Sequence, residues 1–316
     1  MSNKKSNIQV LNSQSINYHT PVLLHECLTA LNIKPNGVYV DCTFGGGGHS
    51  RAILKQLDEK GKLIVFDQDE DARKNLPADE RVIFVPHNFR HLKRFLRLHK
   101  FNKVNGILAD LGVSSHQFDV AERGFSTRYD AALDMRMDQR QTITAAEIIK
   151  TSSELQLHKM FEQYGEVTNA KTLAKTITIQ RDIKPIRTIN EFKTAVQAVV
   201  KGNPNKYFAQ VFQSLRIQVN DELGALKDLL DQSATVLNSA GRIAIITFHS
   251  LEDRLVKNFF KNGTMEDTLI DDVYGHRFKN PFKLVTKKPV TATEKELKEN
   301  TRSRSAKLRV AEKLEE

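Results

Sequence analysis

The sequence has few of the features that mark disulfide-rich, zinc-binding or membrane proteins. It contains only two cysteines, Cys27 and Cys42, outside any C-x-x-C pair, which predicts buried free thiols and no metal site. No stretch approaches the ~18 apolar residues of a membrane helix. Residues 1–17 lack the apolar centre of a signal peptide, and we interpret them as a disordered N-terminal arm. These absences favour a cytoplasmic protein with no membrane contact.

Acidic residues are also in the minority, because 48 lysines and arginines oppose 38 acids and give a formal net charge of +10. The basic residues are concentrated in three runs. The runs are Arg90, Lys93, Arg94, Arg97, Lys100 and Lys103; then Lys279, Lys283, Lys287 and Lys288; and last Arg302, Arg304, Lys307 and Arg309. Such a balance favours a polyanionic partner, although each run alone is equally compatible with a solvated face.

Apolar runs of strand length alternate with helical patterns in both halves of the chain. The predicted strands are 38–44, 62–69, 81–89, 104–112, 242–250 and, at or near the sheet edge, 282–290. A long helix is predicted over 212–237, and the last residues are predicted to form an exposed helix. Strands that alternate with helices predict a parallel, doubly wound α/β sheet.

This alternation stops between about residue 115 and residue 211. The segments TAAEIIK, ELQLHKMFEQY and EFKTAVQAVV are candidate helices there, and no apolar run is as strong as the earlier strands. We therefore predict an all-helical domain over 116–211, inserted into an α/β domain that consists of 18–115 and 212–316.

A glycine-rich turn, D-C-T-F-G-G-G-G-H-S, follows the first predicted strand. Ligands of open α/β sheets bind outside the carboxyl ends of the strands. Glycines there let the backbone turn sharply and approach a ligand closely, so Gly46, Gly47 and Gly48 are candidate cofactor contacts. Asp67 ends the next strand, 20 residues after Gly47, where a carboxylate can bind both ribose hydroxyls of an adenosine.

Two cofactor classes, dinucleotides and S-adenosylmethionine, bind to a glycine-rich turn and an acidic strand end arranged in this way. The dinucleotide fingerprint G-x-G-x-x-G fails, because Ser50 or Arg51 stands where the third glycine belongs. S-adenosylmethionine carries a sulfonium and an ammonium cation, and Asp41 at the end of the first strand supplies a carboxylate for them. The pattern therefore favours S-adenosylmethionine over a nicotinamide cofactor, with Asp41 either as a ligand or as a cap of the turn.

The other strand ends carry further candidates. Phe89 packs either on an adenine face or in the core, and Gln117 is either a cofactor contact or a surface-loop residue. Asp110 ends the fourth strand, where the reactive methyl is expected. His249 and Ser250 end the fifth strand and suit substrate contacts, with a packed histidine and a capping serine as the equal alternative.

Long motifs give the chain a resemblance to one known family. They are HTPVLLHECL, TFGGGGHS, IVFDQD, HNFR, DLGVSSHQFDVAERGFSTRYDAALDMRMDQ, VFQSLRIQVNDEL, ITFHSLEDR and TRSRSAKLRVAEK. On these motifs the chain resembles the bacterial cytosine methyltransferases of small-subunit ribosomal RNA, the family called RsmH or MraW. One stretch departs from the family pattern, because Asn205-Lys-Tyr-Phe-Ala-Gln210 stands where many relatives have H-P-A-x-R.

The resemblance implies a class I methyltransferase with a Rossmann-like sheet and a helical insert. It also implies S-adenosyl-L-methionine as cofactor and methylation of the 4-amino group of one cytidine in the decoding region of 16S rRNA. The partner would be the small ribosomal subunit, and a homodimer is left open. The cofactor contacts carried over position by position are Gly47, Gly48, His49, Asp67, Phe89, Asp110 and Gln117.

A cytosine amine is a poor nucleophile, because its lone pair is delocalised into the ring, so acceptors on its N–H groups would favour the reactive form. We expect Asp110 to be one acceptor, and Ser114 or a loop carbonyl to be the second. The candidate substrate contacts are His249, Ser250, Arg254, Arg94, Arg302 and Arg304. Two alternatives stay open: a methyltransferase acting on a small molecule or protein, and a non-enzymatic RNA-binding or assembly factor.

Overall fold

A computed structural model describes residues 21–265 and 280–315. The predicted N-terminal arm, residues 1–17, and the basic residue Lys279 lie outside these ranges. Within the described ranges, none of the helices combines the length and the apolar character needed to cross a lipid bilayer. Cys27 and Cys42 are buried free thiols, as predicted.

One seven-stranded sheet runs through the molecule in the order β3-β2-β1-β4-β5-β7-β6. Its strands are β1 Val38–Asp41, β2 Lys62–Phe66, β3 Val82–Val85, β4 Val104–Asp110, β5 Leu237–Thr247, β6 Phe282–Leu284 and β7 Lys307–Lys313. Strands β1 to β5 are parallel, and β7 is antiparallel to both of its neighbours. The predicted doubly wound α/β fold of the class I methyltransferase type is confirmed.

The described helices surround the sheet and form a separate helical region. They are α1 Leu24–Leu31, α2 Gly48–Leu54, α3 Leu92–Leu98, α4 Ser115–Asp119, α5 Ala145–Thr151, α6 Glu154–Gly165, α7 Ala170–Ile183, α8 Ile189–Val196, α9 Pro204–Asn220, α10 Glu222–Val236, α11 Ser250–Asn262 and α12 Glu294–Glu299.

The continuous apolar runs of the central strands arise because both faces of the sheet are covered. Successive side chains of a strand point to opposite faces. Leu63 and Val65 of β2 accordingly pack in one core, and Ile64 and Phe66 pack in the core on the other face. All four side chains are fully buried.

A third core holds the helical region together, with Phe161 and Phe192 among its fully buried side chains. The three predicted helices correspond to α5, α6 and α8, whereas α7 and the first half of α9 were not predicted. The proposed boundary at residue 211 lies inside α9, whose Phe212 and Leu215 still belong to the helical core. The departing stretch 205–210 also lies in α9 and contributes Tyr207 and Phe208 to that core.

The single helix predicted over 212–237 is wrong at Asp221. This residue has φ 46, so α9 ends before it and α10 begins after it. Aspartate tolerates this left-handed conformation better than most residues. The break places the Asp221 carboxylate 2.9 Å from the guanidinium of Arg90, which also contacts Asp228 of α10 at 2.8 Å.

The exposed helix predicted for the last residues is also wrong. Residues 307–313 form β7, which lies between β5 and β6, and Leu308 and Val310 are buried. Leu308 and Val310 alternate with Lys307 and Arg309, a period of two that the high charge of the segment concealed. The predicted edge strand is present but short, and only Phe282–Leu284 of residues 282–290 is strand.

Candidate active site

A crevice of about 930 Å³ opens at the carboxyl ends of the parallel strands. The chain order reverses between β1 and β4, and such a switch point is where open α/β sheets bind ligands. Many of the predicted site residues lie on the wall of this crevice: Gly46, Gly48, His49, Asp67, Phe89, Asp110, Ser114, Gln117 and Arg302. The fold therefore brings most of the predicted cofactor contacts together.

The turn after β1 needs glycine for conformation and for space. Gly47 has φ +72, and a Cβ there would lie 2.9 Å from the Phe44 ring. A Cβ on Gly48 would lie 2.3 Å from Cγ of Pro21. Gly46 is different, because a Cβ built on it meets no heavy atom within 4 Å among the described residues. Gly46 is thus the glycine whose missing side chain leaves open space in the crevice.

Asp41 lies behind this turn and not on the crevice wall. Its Oδ1 accepts a hydrogen bond from the Thr43 backbone N–H at 3.1 Å, and its Oδ2 accepts one from the Ser50 hydroxyl at 2.6 Å. The residue is 1% exposed. This geometry favours the cap over the cofactor ligand for Asp41, because both carboxylate oxygens are directed into the turn and into α2.

Asp67 follows β2 and reaches the crevice. Its Oδ2 accepts a hydrogen bond from the Gly45 N–H at 2.8 Å, and its Oδ1 accepts one from the Asp69 N–H at 2.9 Å. Burial raises the pKa of Asp67 to about 7, although these backbone donors oppose the shift. Each carboxylate oxygen has a second lone pair, so the group can still accept hydrogen bonds from a ligand's hydroxyls.

Asp110 at the end of β4 has an unused acceptor. Its Oδ1 is buried and has no hydrogen-bond partner among the described residues. Burial, followed by the charges of Asp41 and Glu252, raises the pKa of Asp110 to about 8. A buried polar atom without a partner is costly, so the Asp110 carboxyl group is one that a nearby cation or N–H donor would stabilise.

His49 lies beside Asp110, with its Nδ1 3.9 Å from Oδ2 of that residue. Burial lowers the pKa of His49, so the imidazole is neutral at pH 7. Its Nε2 lies 3.0 Å from the Val22 carbonyl, which can only accept a hydrogen bond, so the proton is on Nε2 and Nδ1 faces Asp110 as an acceptor.

Ser114 and Gln117 lie on the wall, but their polar atoms serve helix α4. The Ser114 hydroxyl accepts a hydrogen bond from the Gln117 N–H, and the Gln117 side-chain oxygen accepts one from the Ser114 N–H. The Gln117 amide also donates to Asp69 at 2.8 Å. This is a capping box, and the S-x-x-Q spacing of the sequence could have predicted it.

Phe89 lies on the crevice wall just after β3, at the start of a short 3-10 turn. It is half-buried and packs against the core on one face of the sheet. The two alternatives for Phe89 are therefore compatible, since one part of the ring contacts the core and another part faces the crevice.

The loop after β5 presents different residues from those expected. Phe248 and Glu252 line the crevice, whereas His249 and Ser250 do not. The His249 ring is only 7% exposed, and its Nε2 lies 3.1 Å from Oε1 of Glu252. Glu252 was missed, because the residue three positions before it is His249 and not one of the usual capping residues Ser, Thr, Asp or Asn.

Only one of the predicted basic substrate contacts reaches the crevice. Arg302 lies on its wall and donates hydrogen bonds to side chains of α4. Arg254 makes an exposed ion pair of 3.4 Å with Glu166. Arg94 and Arg304 are exposed at other places on the surface. The contribution of these three arginines to substrate binding stays a prediction.

The comparison with known proteins identifies the family. The model of the MraW methylase family matches residues 16–314. The chain belongs to the MraW methylase family. Among its relatives are proteins named ribosomal RNA small subunit methyltransferase H from Flavobacterium johnsoniae, 50% identical over 95% of this chain and 99% of the relative, and from Cytophaga hutchinsonii, 53% identical over 94% and 99%.

Solved structures are much less similar to this methylase in sequence. An rRNA methylase from Streptococcus thermophilus is 12% identical, covers 92% of this chain and 94% of its own, and has a TM-score of 0.39. The fold assignment depends on the strand order and on the family match.

The residues of the methylase crevice fit S-adenosylmethionine. Asp67 offers carboxylate oxygens to ribose hydroxyls, and Phe89 offers a ring face to the adenine. Asp110 brings a carboxyl group to the crevice wall that can balance the positive charge of the cofactor, and the open space at Gly46 lets the ligand approach the backbone. A pyrophosphate, by contrast, would meet carboxylates at the ends of β2 and β4.

Proposed function

We propose that this methylase transfers a methyl group from S-adenosylmethionine to the 4-amino group of a single cytidine in the decoding region of 16S rRNA. The names of the curated relatives support the RNA substrate, and these relatives are about half identical over nearly their whole length. The structural observation that carries the proposal is the Asp110 carboxyl group at the end of β4, which lies on the crevice wall and has one buried oxygen without a hydrogen-bond partner among the described residues.

S-adenosylmethionine, when bound, supplies a methyl group that is activated by its attachment to a positive sulfur. Asp67 and Phe89 would hold the nucleoside part of the cofactor, and Asp110 lies on the same crevice wall. The Asp110 oxygen accepts one N–H of the cytosine amine and thereby localises the lone pair on nitrogen. Alignment of the two reactants can lower the barrier by up to ~7–11 kcal/mol, and the residues that bind and orient them supply it.

The basic character of the protein supports an RNA partner. The formal net charge is +10, and Arg302 brings one guanidinium to the crevice wall. A base in paired or stacked RNA must be turned out before it can enter such a crevice, at a cost of a few kcal/mol. Phosphate contacts by the basic runs would supply part of that free energy, and the small ribosomal subunit in the cytoplasm is the corresponding partner.

The substrate class can be tested by offering four acceptors in parallel. These are small ribosomal subunits from cells that lack this enzyme, free 16S rRNA, an RNA-free protein extract and a small-molecule pool. We expect label from S-adenosylmethionine in the RNA of the subunits. Label confined to protein or to small molecules would contradict the proposal, and cofactor binding without label in any acceptor would indicate a non-enzymatic factor.

The role of Asp110 is tested by Asp110→Ala, with cofactor affinity measured beside turnover. We expect turnover on the ribosomal substrate to fall strongly, and near-normal turnover would contradict the role. A homodimer, which the sequence leaves open, stays a prediction that a measurement of the mass in solution decides.

A further inference from the structure

Glu252 is a second buried acid on the crevice wall, close to Asp110. Strands β4 and β5 are parallel neighbours, with Asp110 opposite Ile246, and Glu252 lies on the first turn of the helix that follows β5. The two loops are in contact, because a Cβ on Gly112 would lie 3.4 Å from the Phe248 ring. The Glu252 side chain is 3% exposed. The fold therefore places two carboxylates at one end of the crevice.

The two oxygens of Glu252 have different surroundings. Oε2 accepts a hydrogen bond from the Phe248 N–H at 2.8 Å, which caps the start of α11. Oε1 lies 3.1 Å from Nε2 of His249, whose two ring nitrogens are buried and make no well-directed hydrogen bond within the described ranges. One oxygen of Glu252 is thus structural, and the other lies beside the His249 imidazole.

An arginine balances the charge behind this pair. Arg216 donates two hydrogen bonds to Glu222, at 2.8 and 2.9 Å. Ligand atoms of Glu222, His249 and Glu252 all lie within 4.8 Å of one another, which is close enough for a metal ion. The Arg216 guanidinium already neutralises Glu222, however, so we interpret the cluster as a charge-balanced proton site.

We propose that Glu252 is a second catalytic carboxylate of this methylase, which accepts the amine N–H that Asp110 does not bind and then takes up the proton that methylation releases. His249 is a positioning residue, because its Nε2 lies 3.1 Å from Oε1 of Glu252. This inference rests on the proposed function, because it needs an amine as the methyl acceptor.

The proposed step is balanced in atoms and charge. The amine nitrogen uses its lone pair to bond the methyl carbon, while the methyl–sulfur bond breaks and leaves its electron pair on sulfur. The nitrogen becomes cationic and gives one proton to Oε1 of Glu252. The products are a neutral methylated amine, a neutral thioether and a protonated Glu252, which returns its proton to solvent when the products leave the crevice.

The charged groups on the neighbouring helices and strands favour different protonation states for Glu252 and Asp110. Burial alone would raise the pKa of Glu252, but His249 at the start of α11 and Arg216 of α9 outweigh it and hold the pKa below its ordinary value. Glu222 of α10 and Asp110 of β4 are the other charged groups facing this point. In the unliganded protein Asp110, with its pKa raised to about 8, is mostly protonated at neutral pH, whereas Glu252 is ionised, and such a separation is typical of acid–base pairs.

The test is Glu252→Gln, because an amide oxygen can still accept the Phe248 N–H while the charge is lost. We expect turnover on unmethylated small subunits to fall about 100-fold or more, the usual contribution of a positioned acid–base group, with cofactor affinity unchanged within twofold. The matched control is Glu191→Gln, since Glu191 also caps a helix start and lies outside the crevice. Turnover of Glu252→Gln within threefold of the wild type would overturn the inference.

A pH profile separates chemistry from folding. Wild-type turnover should decline on the acid side as Glu252 becomes protonated. In His249→Ala this decline should move to higher pH, because the contact that lowers the pKa of Glu252 is removed. An unshifted profile, or one equivalent of bound metal in the purified wild-type enzyme, would overturn the inference. If the wild type itself labels no RNA, the proposed function has failed, whatever the variants do.

Discussion

Arg123 and Asp69 form an ion pair of 2.7 Å between side chains that are each only 7% exposed. Arg123 lies just after α4, and Asp69 lies just after β2. The Arg123 guanidinium also donates hydrogen bonds to the carbonyls of Arg136 and Met137. The pair therefore joins the beginning of the helical region to the loop that carries Asp67. Asp69 also lines the crevice, so the pair supports the crevice wall.

Replacement of Arg123 by methionine should destabilise the protein strongly. The variant keeps the length of the side chain but leaves the Asp69 carboxylate buried without its cation, which typically costs about 3–5 kcal/mol. Chemical denaturation measures this loss. Arg140→Met is the control, since its pairs with Asp138 and Glu70 are more exposed and should contribute less than about 1 kcal/mol. An equal effect of the two variants would contradict the structural role of Arg123.

Alanine at two neighbouring glycines should have different effects, one on stability and the other on cofactor binding. Gly47→Ala is expected to lower the unfolding temperature, because it places a Cβ at φ +72 and within 2.9 Å of the Phe44 ring. Gly46→Ala should leave the unfolding temperature nearly unchanged, since its Cβ points into open space, and should weaken cofactor binding by occupying that space. Thermal unfolding and calorimetric titration measure both. Wild-type cofactor affinity in Gly46→Ala would exclude the cofactor from that part of the crevice.

The raised pKa of Asp110 makes stability and cofactor affinity depend on pH in opposite directions. The folded protein holds this proton up to about pH 8, whereas the ordinary value is 3.8, so the favourable contribution is present at low pH and is lost as pH rises toward 8. The unfolding temperature of the unliganded wild type should therefore decrease, relative to Asp110→Asn, between about pH 4 and pH 8. A pH-independent difference would contradict this assignment.

Cofactor binding should favour the ionised Asp110, because the ligand is cationic. Affinity is then expected to rise as pH increases from 6 to about 8, with release of protons that titration calorimetry in two buffers detects. Asp67, with its pKa raised to about 7, should change the pH dependence of cofactor affinity in the same direction. The contribution of Asp110 is therefore the part of the proton release that Asp110→Asn removes. Proton uptake on binding would contradict the expected sign.

Ser114→Ala should act mainly on stability. The Ser114 hydroxyl caps α4, and removal of such a cap costs about 0.5–2 kcal/mol. We expect Ser114→Asn, which can still cap the helix, to recover most of this loss of stability. We expect both variants to retain turnover within about tenfold of the wild type, because loss of the cap need not displace Asp110. A severe loss of turnover in both variants at wild-type stability would instead support Ser114 as the second acceptor.

The sequence predicted the parts of the site that depend on strand ends. Buried parallel strands appear as continuous apolar runs, so the positions of Asp67 and Asp110 followed from where those runs stop. The glycine turn was also visible, since only glycine provides its conformation. These features are local in the chain, and tertiary contacts did not alter them.

Other parts of the site depend on contacts that the pattern does not specify. Asp41 follows an apolar run as Asp67 does, but the Ser50 hydroxyl holds it inside the turn. Glu252 belongs to a helix start that could have faced solvent, and the packing of α11 against α10 and the strands β5, β6 and β7 is not visible in the local pattern. The strand β7 was missed because pairing with β5 outweighs the helical preference of a charged segment.

The most direct test of the account is methyl transfer from labelled S-adenosylmethionine to small ribosomal subunits from cells that lack this enzyme, with the product nucleoside identified by mass spectrometry. The account predicts one labelled nucleoside, a cytidine methylated on its 4-amino group, at a single site in the decoding region of 16S rRNA. Label on a ring carbon, on a ribose or at many sites would contradict it.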